Sequence, residues 1–463
     1  MPAKNPPARR LRDTDRPLGP NAEVFARRNI AVALDDRGQA VLVRPDSVVA
    51  VADDVEAVRG RVKRVDKDFE VHGRGRLLRI RFKHKTRRGR DGKRLLVAPS
   101  VEVIDALGSQ GLSVRPNHVY FGASAYIGNP SFFGNPSFFG NPSFFGNPSF
   151  FGNPSFFGNP NAAPRSSAEP AGAPADLPAA LASPGRRRPR VLVLDTGMWT
   201  DRSGGAAAAP HVKHPDLVGC VEAHAPWRDV NDETDTDDED EIDVNADAAL
   251  EPQAGHGTFI AGIVRRLCPD AVVNVEGVLS SFGDGDDFSI GSGLDRATAR
   301  LHGDAYDVVV MCLGAYTEDD EPPPLAAWID ALPKSTVVVA SAGNAGSPRP
   351  MFPAALPHVV AVGALDASGR AWFSNFGAWV DACAPGVDVV STFFDCTDTT
   401  DLGERCFEGW ARWSGTSFAA PKVAAAIAQD MYIHETSADV AWRRMSSWEK
   451  FRYPDMGVVV NVV

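Results

Sequence analysis

The sequence predicts an α/β chain: a doubly wound, mostly parallel sheet over residues 191–463, preceded by a small α+β amino-terminal domain and a repeat and linker segment. Three observations carry this. From Val191 onward, short apolar runs ("VLVLD", "VVNVEGVL", "DVVVMCLG", "TVVVASAGN", "HVVAVGAL") alternate with helical stretches, and continuous β-branched runs are how buried parallel strands read. Residues 29–122 show hairpin and alternating patterns instead. Between the two, the unit Gly-Asn-Pro-Ser-Phe-Phe runs five times without substitution from Gly128 to Phe157.

Taken in order, residues 1–22 are rich in Pro and Arg without periodicity and read as a disordered tail. Residues 23–123 form the small domain. "NIAVALDDRGQAVLV" places two β-prone runs around Asp36-Arg37-Gly38, and "RLLRIRF" alternates Leu78, Ile80 and Phe82 with Arg79 and Arg81 like a half-buried strand. "SVEVIDALGSQG" offers Ser100 as a helix cap and Gly108 and Gly111 as stops, and "LSVRPNHVYFG" returns to strand. Residues 124–190 have repeat and linker composition: each repeat pairs an Asn-Pro turn signal with adjacent phenylalanines, giving neither a helical face nor a long strand. The reading is a tether, with cohesion through ten of the chain's 25 phenylalanines as the alternative.

The net charge of -11 conceals an asymmetry, because residues 57–94 hold sixteen Lys or Arg against four Asp or Glu. Such a block suits nucleic acid, an anionic membrane or an acidic surface of the same protein. Residues 229–247 contain eleven Asp or Glu and no Lys or Arg. No eighteen-residue apolar run occurs and no Sec-type signal is visible, so the expectation is a cytoplasmic protein with no membrane partner, non-classical export being the alternative. Six cysteines without CxxC spacing argue against a structural metal or a disulfide scaffold; Cys396 and Cys406 flank a loop and read as free thiols unless the protein is exported.

In a doubly wound fold, functional groups collect past the carboxyl ends of the strands. Asp195 follows "VLVL" and Asn344 follows "VVVASAG"; His256 stands between two glycines at a helix start, and Ser417 heads an alanine-rich helix. Asp, His and Ser together suit acyl transfer: a hydroxyl nucleophile, an imidazole to take its proton, a carboxylate to fix the imidazole tautomer. An amide such as Asn344 supplies an oxyanion donor.

"LDTG", "GHGTFIAG", "ASAGNAG" and "GTSFAAP", in the order Asp, His, Asn, Ser, resemble the four active-site blocks of the subtilisin-like serine proteases (subtilases) over roughly residues 190–430. The resemblance implies Asp195, His256 and Ser417 as a catalytic triad, Asn344 as the oxyanion amide, and hydrolysis of protein or peptide substrates without a required cofactor. It implies that "CLGAY", with Leu313, Gly314 and Ala315, pairs with the substrate backbone, and that Ser341, Ala342 and Gly343 form the opposite wall of the primary pocket. Two departures stand out: Phe259 replaces a second histidine, and Cys312 stands where serine is commoner.

Calcium is common in that family. Here the acidic run at 229–247 and "GDGDD" at 283–287 are its candidates; neither has an EF-hand pattern, no metal site is assigned, and a solvated insert is the expectation for the run. The amino-terminal domain resembles a subtilase prodomain in outline, and its basic block is expected to dock on the acidic run of its own chain. A monomer is expected. The competing readings are a nucleic-acid-binding module that localises the protease, which no recognised motif supports, and a catalytically inactive scaffold.

Overall fold

The computed structural model describes residues 12–13, 27–52, 55–74, 77–83, 85–88, 94–97, 101–122, 166–175, 180–181, 185–198, 214–218, 221–223, 249–400 and 403–460. The Gly-Asn-Pro-Ser-Phe-Phe repeat and the acidic run at 229–247 lie outside them.

The amino-terminal unit is an antiparallel sheet of β1 (Ala31–Leu34), β2 (Ala40–Val51), β3 (Glu70–Arg74), β4 (Leu77–Arg81) and β5 (Val114–Gly122), with helices α1 (Val55–Val65) and α2 (Val101–Ser109). The long β2 pairs with β1, β4 and β5. Period-two alternation sorts its side chains: Val48 and Ala50, with Leu78 and Ile80 of β4, pack against Val58, Val62, Ile104 and Leu107 of the helices. The opposite face was expected to meet water. Instead Val49 and Leu77 join a core of the second unit, and Arg79, 7% exposed, lies with its guanidinium 4.6 Å from the Phe288 ring centre. The sheet is thus covered on both faces, and the half-buried reading of β4 is corrected.

The second unit begins earlier than residue 191. A short strand, β6 (Glu169–Pro170), pairs with a strand at Trp410–Trp413; Ser166 and Ala168 are buried, and the Trp413 indole donates to Ser167 Oγ at 2.7 Å. Residues 166–175 are therefore packed, although their Ala/Pro/Ser composition reads as linker.

Its central sheet is formed by β7 (Arg190–Asp195), β8 (Val221–Ala223), β9 (Val272–Gly277), β11 (Val308–Met311), β13 (Val337–Ser341), β14 (Val359–Asp366), β15 (Ala382–Pro385) and β16 (Gly457–Val459). The order is β8-β9-β7-β11-β13-β14-β15-β16, each neighbour parallel to the next. The central strands β7, β11 and β13 are covered on both faces, which is why they read as near-continuous apolar runs. Val191 and Val193 face helices α3 (His256–Leu267) and α5 (Thr416–His434), where Ala419, Ala420 and Ala424 allow close approach. Leu192 and Leu194 face α4 (Asp287–Ala299) together with Val49, Leu77 and Tyr120 of the amino-terminal unit.

The two units share strand pairing. β5 runs antiparallel between β10 (Asp284–Asp286) and β12 (Leu313–Gly314), with Tyr120 opposite Gly285, Phe121 opposite Gly314 and Gly122 opposite Leu313. Charged side chains surround it. Arg28 and Arg44 reach Asp284, at 2.9 Å from Arg28 Nε and 3.1 Å from an Arg44 terminal nitrogen, and Arg44 Nε reaches Asp286 at 3.1 Å. His118 bridges Asp287 at 2.8 Å and Glu318 at 2.7 Å, Arg115 Nε donates to Glu318 at 2.6 Å, and the Tyr120 hydroxyl donates to Asp287 at 2.8 Å. These cations lie outside the basic block at 57–94, so the described contacts are not those expected from charge runs.

Burial opposes ionisation of Asp284, yet Arg28 and Arg44 hold its carboxyl down at about 2. Burial would also lower His118, but Glu318 and Asp287 push its imidazolium up to about 9. Glu318 is held at about 2 against its own burial, chiefly by His118.

Candidate active site

Asp195 is the last residue of β7, at the carboxyl edge of the parallel sheet. Its Oδ1 lies 2.7 Å from His256 Nδ1 and accepts the Thr196 backbone N–H at 2.8 Å; both carboxylate and imidazole are fully buried. His256 opens α3, and its entry requires a glycine: Gly255 has φ 79°, and a Cβ there would come within 2.7 Å of Phe394 Cε1 and collide with Phe393.

His256 Nε2 is buried and has no hydrogen-bond partner among the described residues. Its ring packs edge-on to Trp413, centroids 5.5 Å apart, and against Phe418 at 5.3 Å. Phe418 directly follows Ser417, which occupies the first turn of α5. Ser417 Oγ donates to the Cys312 carbonyl at 3.2 Å and does not bond Nε2 in this rotamer. The Cys312 thiol packs behind it, donating to the Ser417 carbonyl at 3.1 Å, and burial pushes that thiol well up from its usual range. Phe259, where a second histidine is commoner, is fully buried against Trp413 and Phe418 as part of the same aromatic wall.

Asn344 follows β13, and its Oδ1 accepts from the Thr416 backbone N–H at 3.0 Å and the Thr416 hydroxyl at 2.9 Å. A backbone donor fixes which amide atom is oxygen, so Nδ2 is directed away from Thr416. Sequence reasoning did not single out Thr416, although its place directly before the serine is a signal in hindsight.

The structure places Leu313, Gly314 and Ala315 on an edge that carries β5 as an antiparallel partner, with Ala315 in a bridge to Phe352. Ser341 and Ala342 are fully buried at the end of β13; Gly343, with φ 101°, donates its N–H to Thr416 Oγ1 at 3.1 Å.

Among the described residues no group of three or more His, Cys, Asp or Glu side chains is arranged to hold a metal ion. The "GDGDD" candidate is put to other use: Asp284 bonds Arg28 and Arg44, Asp286 caps α4 through Phe288 N and Ser289 N, and Asp287 faces His118 and Tyr120. Cys396 and Cys406 are free thiols; they lie on paired strands opposite Phe407 and Thr397, one residue out of register, which points them to opposite faces.

A parallel α/β sheet carries a buried Asp–His pair at one strand end and a serine at the adjoining helix start, the three residue types that acyl transfer uses. Residues 186–446 match the model of the Subtilase family (peptidase S8), and the chain belongs to that family. It is similar to a thermophilic serine proteinase of Bacillus sp. (strain AK1), with 32% identity over a 253-residue alignment that covers 50% of this chain and 50% of that protein. Subtilisin DY of Bacillus licheniformis is 35% identical over 42% of this chain and 69% of its own length. Subtilisin Savinase of Lederbergia lenta is 34% identical over 52% of this chain and 74% of its own length. The chain thus spans half the length of the first of these relatives.

Proposed function

We propose that this chain is a serine endopeptidase that cleaves peptide bonds through an acyl-enzyme on Ser417. The carrying observation is the buried Asp195–His256 pair at 2.7 Å, whose other ring nitrogen has no partner among the described residues while the ring packs on the residue next to Ser417. Asp195 holds His256 in the tautomer with Nδ1–H, leaving Nε2 to take the Ser417 proton as Oγ attacks the carbonyl. The developing oxyanion is met by Asn344 Nδ2, which Thr416 orients, and by backbone N–H groups at the start of α5. His256 then protonates the leaving amine, and water repeats the sequence on the ester.

Substrate backbone adds as a strand to the edge at Leu313–Gly314, opposite the wall at Ser341–Gly343. The test is hydrolysis of a denatured protein substrate by the wild-type chain and by Ser417→Ala. Cleavage by the wild type alone supports the reading; equal cleavage by the variant removes it.

A second part of the reading concerns the amino-terminal unit. β5 lies on the same edge, and its own Arg115 and His118, together with Arg44 of the neighbouring β2, meet acidic groups of the catalytic unit. These observations favour a unit that docks on its own protease and occupies the cleft until it is removed. A separately produced 27–122 fragment is expected to inhibit the mature enzyme, more weakly as salt rises. Inhibition absent at every ionic strength would oppose this part alone. The nucleic-acid reading is not carried forward, since no recognised motif supports it; of the basic block, Arg79 packs on Phe288.

A further inference from the structure

Two glycines face one another across the cleft. Gly314 ends β12 and Gly343 follows β13, and both adjoin the nucleophile: Ser417 Oγ bonds the carbonyl of Cys312, the residue before Leu313, and Gly343 N bonds Thr416 Oγ1. In the register of β5, Gly122 faces Leu313 and Phe121 faces Gly314. The next position of any strand added this way lies opposite Cys312. A carbonyl at that position would lie beside Ser417, and its side chain would enter the gap between the two glycine walls.

That gap is filled. Met351, 4% exposed, holds its thioether there: a Cβ built on Gly314 would collide with Met351 Cε and lie 2.9 Å from Sδ, and one on Gly343 would lie 2.6 Å from both atoms. The methionine is anchored at its base, because the adjoining Phe352 exchanges backbone hydrogen bonds with Ala315 at 2.8 and 2.9 Å and Ala355 N bonds the Met351 carbonyl at 2.9 Å. Asn375 closes the same end, donating from Nδ2 to the Ala342 carbonyl at 2.8 Å.

Resting on the peptidase reading above, we infer that Met351 is a specificity-determining residue that fills the primary pocket and restricts the residue on the acyl side of the cut bond to glycine, alanine or serine. Leucine, methionine and phenylalanine would overlap the thioether, and in a close-packed gap added methylenes are not absorbed without displacement. One misplaced methylene in an apolar pocket changes discrimination by about 10–200-fold. Phenylalanine in place of alanine is therefore expected to lower kcat/KM by about 100-fold or more.

The full-length chain, incubated until its amino terminus stops changing, is given a peptide series that differs at this position alone, with Gly, Ala, Ser, Leu, Met or Phe. Parallel samples are treated with a fluorophosphonate and mapped by mass spectrometry. The wild type is expected to favour the small residues, and Met351→Ala to raise the Phe-to-Ala ratio of kcat/KM by about tenfold or more. Wild-type cleavage after Phe or Leu as fast as after Ala overturns the inference whether or not the variant folds. So does a Met351→Ala enzyme with an unchanged ratio. No cleavage together with no fluorophosphonate adduct on Ser417 overturns the peptidase reading itself, and the inference with it.

Discussion

Replacing His118 with glutamine removes the cation that sits between two buried carboxylates. Asp287 and Glu318 approach the ring from the catalytic unit at 2.8 and 2.7 Å, and no part of the imidazole is exposed. Arg115 shares Glu318 and the Tyr120 hydroxyl shares Asp287, so the carboxylates keep other partners but lose their common one. Raising an imidazole from 6.5 to about 9 corresponds to about 3 kcal/mol of favourable interaction in the docked state. Because the docked value is the higher one, this contribution is fully present below pH 6.5 and is lost as pH rises through about 9. Glu318 has the opposite sign: its contribution is present above 4.5 and is lost as pH falls through about 2. Docking is therefore strongest between pH 4.5 and 6.5. Hydrogen exchange of the Val114–Gly122 amides, measured in full-length Ser417→Ala to prevent self-cleavage and corrected for intrinsic rates, reads it directly. Protection should fall by about two orders of magnitude from pH 6 to pH 9.5. His118→Gln should show little of that change and less protection at pH 6. Equal protection at both pH values in the parent would refute the reasoning.

Further outcomes follow from other parts of the site. Asn344→Ala should lower kcat by about 10²–10³-fold with little change in KM, since it removes a donor used in the transition state; a fall confined to KM would contradict that role. Thr416→Val removes one of the two bonds that hold Asn344 Oδ1, and steady-state kinetics should show a smaller loss of kcat in the same direction. Arg44→Ala leaves Asp284 and Asp286 buried with a partner missing, and thermal unfolding of the Ser417→Ala chain should report a loss of about 3–5 kcal/mol. Gly255→Ala forces a Cβ into the Phe393 and Phe394 rings at a left-handed position and should abolish activity and lower thermal stability together.

What the sequence made legible was local. "VLVLD" and "TVVVASAGN" are strands because β-branched runs buried on both faces leave few alternatives, and Asp195 and Asn344 stand at the strand ends for that reason. His256 and Ser417 were visible through the glycines and alanines that helix starts and close packing demand. The pairing of Gly122 with Leu313 has no local signal, because it joins residues far apart in the chain. Met351 was invisible for the same reason: its place between Gly314 and Gly343 depends on how three distant segments meet. Composition misled at Ser166–Ala175, where an Ala/Pro/Ser stretch reads as linker although Arg405 bonds the Ser166 and Ala168 carbonyls and holds it to the catalytic unit. Charge alone did not place "GDGDD", to which no metal was assigned: its acids meet arginine and histidine from the amino-terminal unit, partners that no local pattern announces.

Covalent trapping at the nucleophile tests the central claim most directly. A fluorophosphonate applied to the active chain, followed by digestion and mass spectrometry, should place a single adduct on Ser417, and Ser417→Ala and His256→Ala should both lose it. An adduct elsewhere, or labelling of Ser417 that survives loss of His256 unchanged, would contradict an acyl-enzyme mechanism built on Asp195, His256 and Ser417.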